Sequence, residues 1–246
     1  MFSIFTRKIP FLKRQEIWFY DNSKINLEGN NLFIHALSLP ENPAAVNVQK
    51  VYTTSIDLTQ TIETIKSNLK TKLRGYINKG EKTAFEHKIL DEKNTAIQND
   101  IFNDYNNFAK QKNITLLNKT SLKAYCNSGQ MIATQIIFDQ KPLITHVYLH
   151  DYSRATLLYS YHLQNIDQYD GQFRSLANRY LHWLDLTYFK NKNFKTYDLG
   201  GISKTPNSLS DFKTSFGGSI EEQFGYTIPM GIFRLVGKLH STQNQK

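Results

Sequence analysis

Three neighbouring segments decide the fold of this chain: DGQFRSLANRYLHWLDLTYF (170–189), TYDLGG (196–201) and FKTSFGG (212–218). In the first segment, apolar residues recur at helical spacing, which predicts one long helix. The second reads as a short strand ending in two glycines, and the third as a brief helix that also closes on two glycines. A helix, a strand and a helix in succession favour helices packed across a sheet.

The rest of the chain adds strands and helices to this unit. Alternating or β-branched segments predict strands, and helical spacing of apolar residues predicts helices. The strands are expected at 17–20, 32–37, 48–55, 131–138, 143–150, 155–161, 224–228 and 232–235, and the helices at 58–77, 99–112 and 120–127. We therefore predict an α+β fold with a mixed, mostly antiparallel central sheet flanked by helices.

Length and composition favour one globular domain over residues 1–246. The chain is 40% hydrophobic and 13% aromatic, which is enough to fill a core. Its single cysteine, Cys126, excludes a disulfide framework and a cysteine-based zinc site, and its apolar neighbours predict a packed filler. No cluster of histidines and carboxylates has ligand-like spacing, so we expect no metal.

The amino-terminal segment 1–15 is basic and carries scattered apolar residues. It lacks the unbroken apolar run of a signal peptide, and no segment of the chain has the roughly 20 apolar residues that span a bilayer. We expect a cytoplasmic protein with this segment as an amino-terminal extension. The alternative is peripheral contact with the anionic inner face of the membrane.

The net charge of +9 favours a phosphate-bearing partner. The class includes coenzyme A, a nucleotide sugar, transfer RNA and anionic lipid, and the charge alone selects none of them. For any single lysine, a solvated helix face is an equal explanation. The densest basic group comprises Lys66, Lys70, Lys72, Arg74, Lys79, Lys82 and Lys88.

The start of the long helix is a candidate anion site. Free backbone N–H groups and the positive end of the helix dipole meet there, and Arg174 and Arg179 add charge. An ordinary helix cap with solvated arginines is the alternative. The candidate donor-binding residues are Gln172, Arg174, Ser175, Asn178 and Arg179.

The strand end and the last helix provide candidates for chemistry. Gly200 and Gly201 permit close approach of the backbone to a substrate. Lys213 stands among aromatic residues, where partial burial would hold its ammonium as a fixed electrostatic group. Asp198 either positions a substrate amine or is a turn residue bonded to the backbone.

Several ordered motifs resemble the Fem-type peptidyltransferases and the related BioF2-like acyltransferases of the GNAT superfamily. The resemblance spans about residues 50–228. It is carried by Asp57–Leu58 followed by Arg74, Ile77 and Lys79 in an Arg-x-x-Ile-x-Lys pattern, and by NRYLHW (178–183), YDLGGI (197–202) and FKTSFGG (212–218). Three or more motifs in the family's order are more specific than any one alone.

This resemblance implies a single GNAT-type domain and direct amide formation from an activated acyl donor. It implies that Lys213 stabilises the developing oxyanion, and that residues 172–177 hold donor pyrophosphate in a Gln/Arg-x-x-Gly-x-Gly/Ala pattern. Ser175 stands where that pattern has its first glycine. Because these 246 residues have room for one such domain, we expect no counterpart here of the second domain and helical hairpin of the transferases that use aminoacyl-tRNA.

Histidines and tyrosines of the meandering strands are the remaining candidates. His146 or His150 would act as general base, since alternation puts both on one face of a strand, although a hydrogen-bonded strand histidine is the commoner case. Tyr159 and Tyr161 line a cleft or belong to the core. The neighbours of His182 favour a structural role for it.

We therefore expect an N-acyltransferase that moves an acyl or aminoacyl group onto an amine of a cell-envelope or polysaccharide precursor, preferably an amino sugar. The expected donor is acyl-CoA, with no tightly bound cofactor. One alternative is an aminoacyl-tRNA-dependent transferase that extends a peptidoglycan peptide, with the basic helix near Lys66 contacting RNA. Another is a non-catalytic domain that binds nucleic acid or a protein partner.

Overall fold

The computed structural model of the chain describes residues 1–9, 12–20, 31–37, 47–91, 93–203, 205 and 207–229. Within these ranges, ten strands form one sheet in the order β1-β2-β3-β10-β4-β9-β8-β7-β6-β5. Neighbouring strands are antiparallel except for the β2/β3 and β8/β9 pairs, which are parallel. The strands are β1 (Phe2–Ile9), β2 (Leu12–Tyr20), β3 (Asn31–Ala36), β4 (Asn47–Asp57), β5 (Glu86–Leu90), β6 (Met131–Phe138), β7 (Lys141–His150), β8 (Arg154–His162), β9 (Thr196–Ile202) and β10 (Ser219–Pro229).

Helices cover both faces of this sheet. On one face, α3 and α4 bury Tyr105 and Tyr125 against Val147 of β7. On the other, α5 buries Phe189 against Tyr148 and Tyr197. The expected α+β fold with a mixed, mostly antiparallel sheet is confirmed. The described helices are α1 (Ile62–Asn68), α2 (Thr71–Gly80), α3 (Thr95–Lys112), α4 (Lys119–Asn127), α5 (Gly171–Asn191) and α6 (Ser208–Thr214), with a short 3-10 helix over Gln164–Gln168.

The single helix expected over 58–77 is two helices. Leu69 and Lys70 separate α1 from α2 with extended backbone angles. The Lys70 amide donates to the carbonyl of Ser215 instead of to its own helix. Arg74 closes the break by donating to the carbonyl of Leu69 at 2.6 Å. A contact far along the chain thus interrupts a pattern that is locally helical.

Strands at both outer parts of the sheet differ from the expectation. The basic segment expected as an extension forms β1 and the start of β2, which pair with each other. The sequence pattern also missed β5, which pairs with β6. The strand expected at 232–235 lies outside the described residues. Cys126 is buried, with its sulfur 3.9 Å from the sulfur of Met131.

Candidate functional site

A cleft opens where the parallel strands β8 and β9 separate. They pair only from Arg154 to Thr156 on β8, opposite Thr196 to Asp198 on β9. Beyond that point β8 continues along β7, and the register between them shifts from Val147↔Tyr159 to Tyr148↔Leu157. Leu158 is therefore an extra residue in β8, as in a β-bulge, which disturbs the ladder locally. The two strands thus face one gap on the side where they no longer pair with each other.

Strand β9 bends at the same place. Its pairing with β4 jumps from Thr53↔Gly201 to Ser55↔Asp198. Gly200 lies in this irregular stretch with a φ of +75°, a conformation that favours glycine. A Cβ at Gly200 would lie 2.7 Å from the Leu157 carbonyl oxygen. The glycine therefore lets β9 pass close to β8 just where the two strands part.

Lys213 reaches this point from α6. Its Nζ donates to the carbonyl of Gly201 at 2.8 Å, and it lies 3.6 Å from where a Gly200 Cβ would stand. Asn207 caps α6 by accepting from the Ser210 amide, and the helix buries Ser210 and Lys213 on one face. Burial lowers the pKa of Lys213 to about 8, and Asp198 partly opposes that effect. An ammonium is therefore held against the two glycines.

The cleft has a volume of about 560 Å³. Leu157, Leu158 and Ser160 of β8 form one wall, and α5 and α6 form another. An adjoining cavity of about 320 Å³ shares Phe108, Ser160 and Asn178 with it. The remaining residues of the cleft are Arg179, His182, Gly201, Ser208, Leu209, Phe212 and Lys213.

The candidate donor-binding residues of α5 divide between these spaces. Asn178 and Arg179 line the cleft, and Asn178 lines the adjoining cavity together with Arg174 and Ser175. Gln172 is exposed and lines neither. Arg174 is 3.4 Å from the Asp167 carboxylate, an exposed pair that contributes little stability.

The amino terminus of α5 already carries an anionic cap. The Asp170 carboxylate accepts from the Phe173 amide at 2.7 Å. A carboxylate at this position takes one of the free N–H groups and satisfies the helix dipole. A second anion at this helix end would meet repulsion from Asp170.

Arg179 is the cation that faces the cleft from α5. Its guanidinium lies between two rings, 4.7 Å from the Tyr76 centroid and 5.0 Å from the Phe212 centroid. It also donates to the hydroxyl of Ser175. Burial lowers its pKa, but an arginine remains charged. The stacked planar group is suited to a phosphate or carboxylate.

Asp198 is enclosed by donors. One carboxylate oxygen accepts from the Gly200 amide at 2.8 Å and from the Thr53 hydroxyl. The other accepts from Arg154 at 2.7 Å and from Gln223 at 2.9 Å. With both oxygens bonded, Asp198 holds the backbone of Gly200 in place and is fully buried.

His146 and His150 share a face of β7 but not a surrounding. His146 is fully buried, with Nδ1 2.7 Å from Asp185 and Nε2 3.1 Å from the Asn178 side chain, so it lies directly behind the cleft. His150 packs against Phe194, and burial lowers its pKa to about 4. It does not line the cleft. The alternation along β7 predicted that both histidines lie on one face, but not that His150 lies too far along the strand to line the cleft.

The two candidate tyrosines of β8 lie on the α3 side. Tyr159 packs on Tyr105 with ring centroids 4.5 Å apart. Tyr161 is buried and lines the adjoining cavity beside Phe108. Burial raises the pKa of both tyrosines, so both are neutral hydroxyls.

Sequence patterns missed two features of the cleft wall. The bulge at Leu158 has no local signature, because it depends on the register against β7. His182 looked structural from its neighbours, yet it lines the cleft. Its position four residues after Asn178, on the same helix face, was the available signal.

Two general features complete the description of the site. In the described part of the chain, no group of three or more His, Cys, Asp or Glu side chains is arranged to hold a metal ion. Across the same residues, each helix is too short or too polar to cross a membrane.

Comparisons with known proteins support the fold only. No family model matches the sequence, and no curated protein matches it. Similar solved structures include FemX, with a TM-score of 0.57 at 11% identity, covering 83% of this chain and 68% of that one. The carboxyl-terminal domain of a putative lysylphosphatidylglycerol synthetase from Agrobacterium fabrum has a TM-score of 0.55 at 11% identity, with coverages of 86% and 71%. L-PGS from Bacillus licheniformis has a TM-score of 0.53 at 10% identity, with coverages of 86% and 72%.

These structures share the layered sheet and helices described above, at identities that speak for fold and not for substrate. The expected resemblance is confirmed at that level. The chain has a fold similar to that of FemX.

Proposed function

We propose that this protein is an N-acyltransferase. It transfers an acyl or aminoacyl group from an activated, phosphate-bearing donor to an amine of a cell-envelope precursor, preferably an amino sugar. The observation that carries this proposal is the cleft between β8 and β9, with the buried Lys213 ammonium at the point where they separate.

The separated strands support insertion of an extended donor. Backbone groups that leave a ladder must find other partners, and an amide-containing chain can pair with them as an added strand would. A donor lying along Leu157 and Leu158 would bring its carbonyl to the Gly200–Gly201 backbone. Arg179, at the side of the cleft, would then meet donor phosphate.

The chemistry follows from that placement. The amine nitrogen attacks the donor carbonyl, the carbon–nitrogen bond forms, and negative charge develops on the carbonyl oxygen. When the tetrahedral species collapses, the bond to the leaving sulfur or oxygen breaks, and the leaving group departs with that electron pair and a proton. Lys213 stabilises the oxyanion, and the cleft supplies most of the remaining rate through positioning.

The names of the similar structures support an acceptor in the cell envelope. One of them is the carboxyl-terminal domain of a putative lysylphosphatidylglycerol synthetase, and that name refers to a phospholipid. This chain carries a net charge of +9, which suits a phosphate-bearing acceptor as well as a phosphate-bearing donor.

A second candidate donor, aminoacyl-tRNA, is favoured by one observation. Asp170 puts a carboxylate at the amino terminus of α5, where a coenzyme A pyrophosphate would otherwise bind. Donor phosphates would then be held elsewhere, by Arg179 and by basic residues of α1 and α2. The exposed lysines near Lys66 suit RNA, and such binding would weaken steeply with salt.

Thermal shift and turnover distinguish these donors. The full chain is screened with acetyl-CoA, longer acyl-CoAs, UDP-amino sugars and charged tRNA, because a ligand that binds the folded state raises the melting temperature. Thioester consumption with an amino sugar supports the first donor. Salt-sensitive tRNA binding with aminoacyl transfer supports the second. Binding without transfer from any donor would overturn the proposed enzymatic activity and favour a non-catalytic binding domain.

Lys213→Ala tests the centre of the proposal. We expect kcat to fall by about 10²–10³-fold, because a preorganised charge at the oxyanion is lost. The matched control is Lys195→Ala, an exposed lysine outside the cleft, which should keep wild-type turnover. The melting temperature of both variants reports on folding. Wild-type turnover in Lys213→Ala would remove this residue from the mechanism.

A further inference from the structure

His182 lies one helical turn beyond Asn178 on α5, and both residues line the cleft with Lys213. The His182 ring is buried, and its centroid is 5.3 Å from that of Phe212. It is therefore a titratable group in contact with the space where acyl transfer is proposed, and that mechanism has given it no part.

A chain of buried hydrogen bonds leads away from this ring. His182 Nδ1 is 2.8 Å from the Tyr197 hydroxyl, which is 2.8 Å from the Tyr148 hydroxyl. The Tyr148 hydroxyl donates to Oδ2 of Asp185 at 2.7 Å. Asp185 also bonds His146 at 2.7 Å and His87 at 2.8 Å.

The direction of each bond follows from the charge of Asp185. Burial alone would raise the pKa of its carboxyl, but hydrogen bonds from His146 and His87 outweigh burial and hold that pKa well below the usual range. The carboxylate is therefore ionised and only accepts. Tyr148 therefore donates its single hydroxyl proton to Asp185.

The Tyr148 hydroxyl is also 3.1 Å from Nδ1 of His146, which bonds the same carboxylate oxygen. One arrangement then places a proton in each remaining contact of the chain. The Tyr148 oxygen accepts from the Tyr197 hydroxyl, so the Tyr197 proton is committed too. The Tyr197 oxygen accepts from His182, whose Nδ1 must carry a proton. In a neutral imidazole the other nitrogen, Nε2, then holds a lone pair. Within the described residues Nε2 has no hydrogen-bond partner, and it lies on the ring edge opposite Tyr197.

We propose that Nε2 of His182 takes the proton of the attacking amine, and that Asp185 sets the required tautomer through Tyr148 and Tyr197. This inference rests on the proposed acyl transfer and adds the general base to it. His182 would contact the acceptor amine, whereas Tyr148, Tyr197 and Asp185 are positioning residues.

Proton and electron pairs balance in this scheme. As the carbon–nitrogen bond forms, the amine proton moves to Nε2, and His182 becomes an imidazolium whose Nδ1 proton stays in its bond to Tyr197. Asp185 stays ionised and only orients the chain of bonds through Tyr148 and Tyr197. When the carbon–sulfur or carbon–oxygen bond breaks, Nε2 gives the proton to the leaving group, and His182 is neutral again.

The surroundings of His182 keep its ring neutral before the reaction. Burial holds the pKa of His182 well below its usual value, and the nearby His146 ring lowers it further. Lys213 and Arg179 also disfavour a second positive charge, while Asp185 opposes them. The ring therefore enters the reaction with a lone pair on Nε2, and the imidazolium, which is costly at this site, passes its proton on when the tetrahedral species collapses.

The tautomer is tested without any substrate. Long-range nitrogen–proton correlation spectra of the full chain labelled with ¹⁵N-histidine distinguish protonated from unprotonated ring nitrogens, and His182→Gln identifies the His182 signals. We expect a protonated Nδ1 and an unprotonated Nε2 at pH 7. Tyr197→Phe should move both signals toward an average of the two tautomers. Tyr105→Phe, which removes a hydroxyl bonded to the Thr115 carbonyl on the other face, should not.

An unprotonated Nδ1 in the wild-type protein overturns the proposal. So do His182 signals that are unchanged in Tyr197→Phe. Because this measurement needs no turnover, its result is independent of whether the donor is a thioester or charged tRNA.

Kinetics test the base itself, with acetyl-CoA or charged tRNA as donor. His182→Gln should lower kcat by about 10²–10³-fold and leave KM for the donor unchanged, since a base acts on the amine. Tyr197→Phe should lower kcat by about tenfold, as expected for one lost orienting bond. Tyr105→Phe should match the wild type. Melting temperatures check that each variant is folded.

The outcomes separate the two proposals. If the wild type is active and the kcat of His182→Gln stays within about twofold of it, His182 is not the general base, and the proposed acyltransferase activity is unaffected. A wild type that transfers nothing from any donor overturns the acyltransferase and the base together, whatever the spectra give.

Discussion

At the scale of single residues, the charge state of Lys213 is central to the proposed mechanism. Its ammonium is 8% exposed and is fixed by the Gly201 carbonyl. Because burial lowers its pKa to about 8, the residue is a cation at neutral pH but gives up its proton at a modestly higher pH. An ordinary surface lysine would keep its charge well beyond that point.

This pKa predicts an alkaline limit to activity. A lysine is charged below its pKa. If Lys213 stabilises the oxyanion as proposed, that charge disappears as the pH rises through about 8, and kcat should fall there. In Lys213→Arg, this alkaline fall of kcat should move to higher pH or disappear, since arginine stays charged. The measurement is kcat from pH 6 to about 10 for the wild type, Lys213→Arg and the surface control Lys195→Arg. An alkaline limb retained in Lys213→Arg would assign it to another group.

At the scale of elements, the contact between α2 and α5 holds the site helix against the fold. Gly80 is buried at the end of α2, and a Cβ there would lie 2.4 Å from two ring carbons of Tyr180 on α5. Gly75, one and a half turns earlier on the same helix, has nothing within 4 Å. A side chain therefore fits at position 75, whereas at position 80 it would collide with the Tyr180 ring.

Alanine at these glycines should have opposite effects on the free energy of unfolding. Gly75→Ala should stabilise the protein by about 0.5–1 kcal/mol, because alanine loses less backbone entropy in a helix. Gly80→Ala should destabilise it by about 1–3 kcal/mol, since Tyr180 must move. Urea denaturation of both variants measures the difference, and Gly75→Ala is the matched control. Equal effects would mean that α2 and α5 are not packed as described.

At the scale of the whole molecule, three histidines with lowered pKa values tie stability to pH. Burial lowers the pKa of His35 to about 3 and that of His150 to about 4, and it holds the pKa of His182 well below the usual value. In the unfolded chain each would titrate near 6.5. The folded state therefore binds fewer protons than the unfolded state at mildly acidic pH.

The sign of this linkage predicts a loss of stability on acidification. The stabilisation from these histidines is complete above pH 6.5 and declines as the pH falls, by about 2 kcal/mol at pH 5 for each of His35 and His150. His182 acts in the same direction. Urea midpoints at pH 7.5, 6 and 5 measure the slope. His150→Gln should flatten it by one histidine's share. Midpoints that do not change between pH 7.5 and 5 would contradict the burial of these rings.

Local sequence accounts for much of the fold. The helix of α5 and the meander of β6, β7 and β8 follow from periodicity, because each pattern reflects which face is buried. The break between α1 and α2 does not, since it depends on the bond from Lys70 to Ser215. Strands β1 and β5 were also not predicted. Their residue patterns are short, and they form strands because they pair with β2 and β6.

The candidate site divides in the same way. Lys213, Gly200 and Gly201 were identifiable from sequence, because charge among aromatics and paired glycines are local signals. The cleft itself forms where β8 and β9 separate, and no residue pattern predicts where the pairing of these strands stops. His182 acquired its position only when Tyr148, Tyr197 and Asp185 came together from three elements. Sequence by itself determined which side chains were available. Only the tertiary structure decided which of them meet, because register and long-range hydrogen bonds join residues that are distant in the chain.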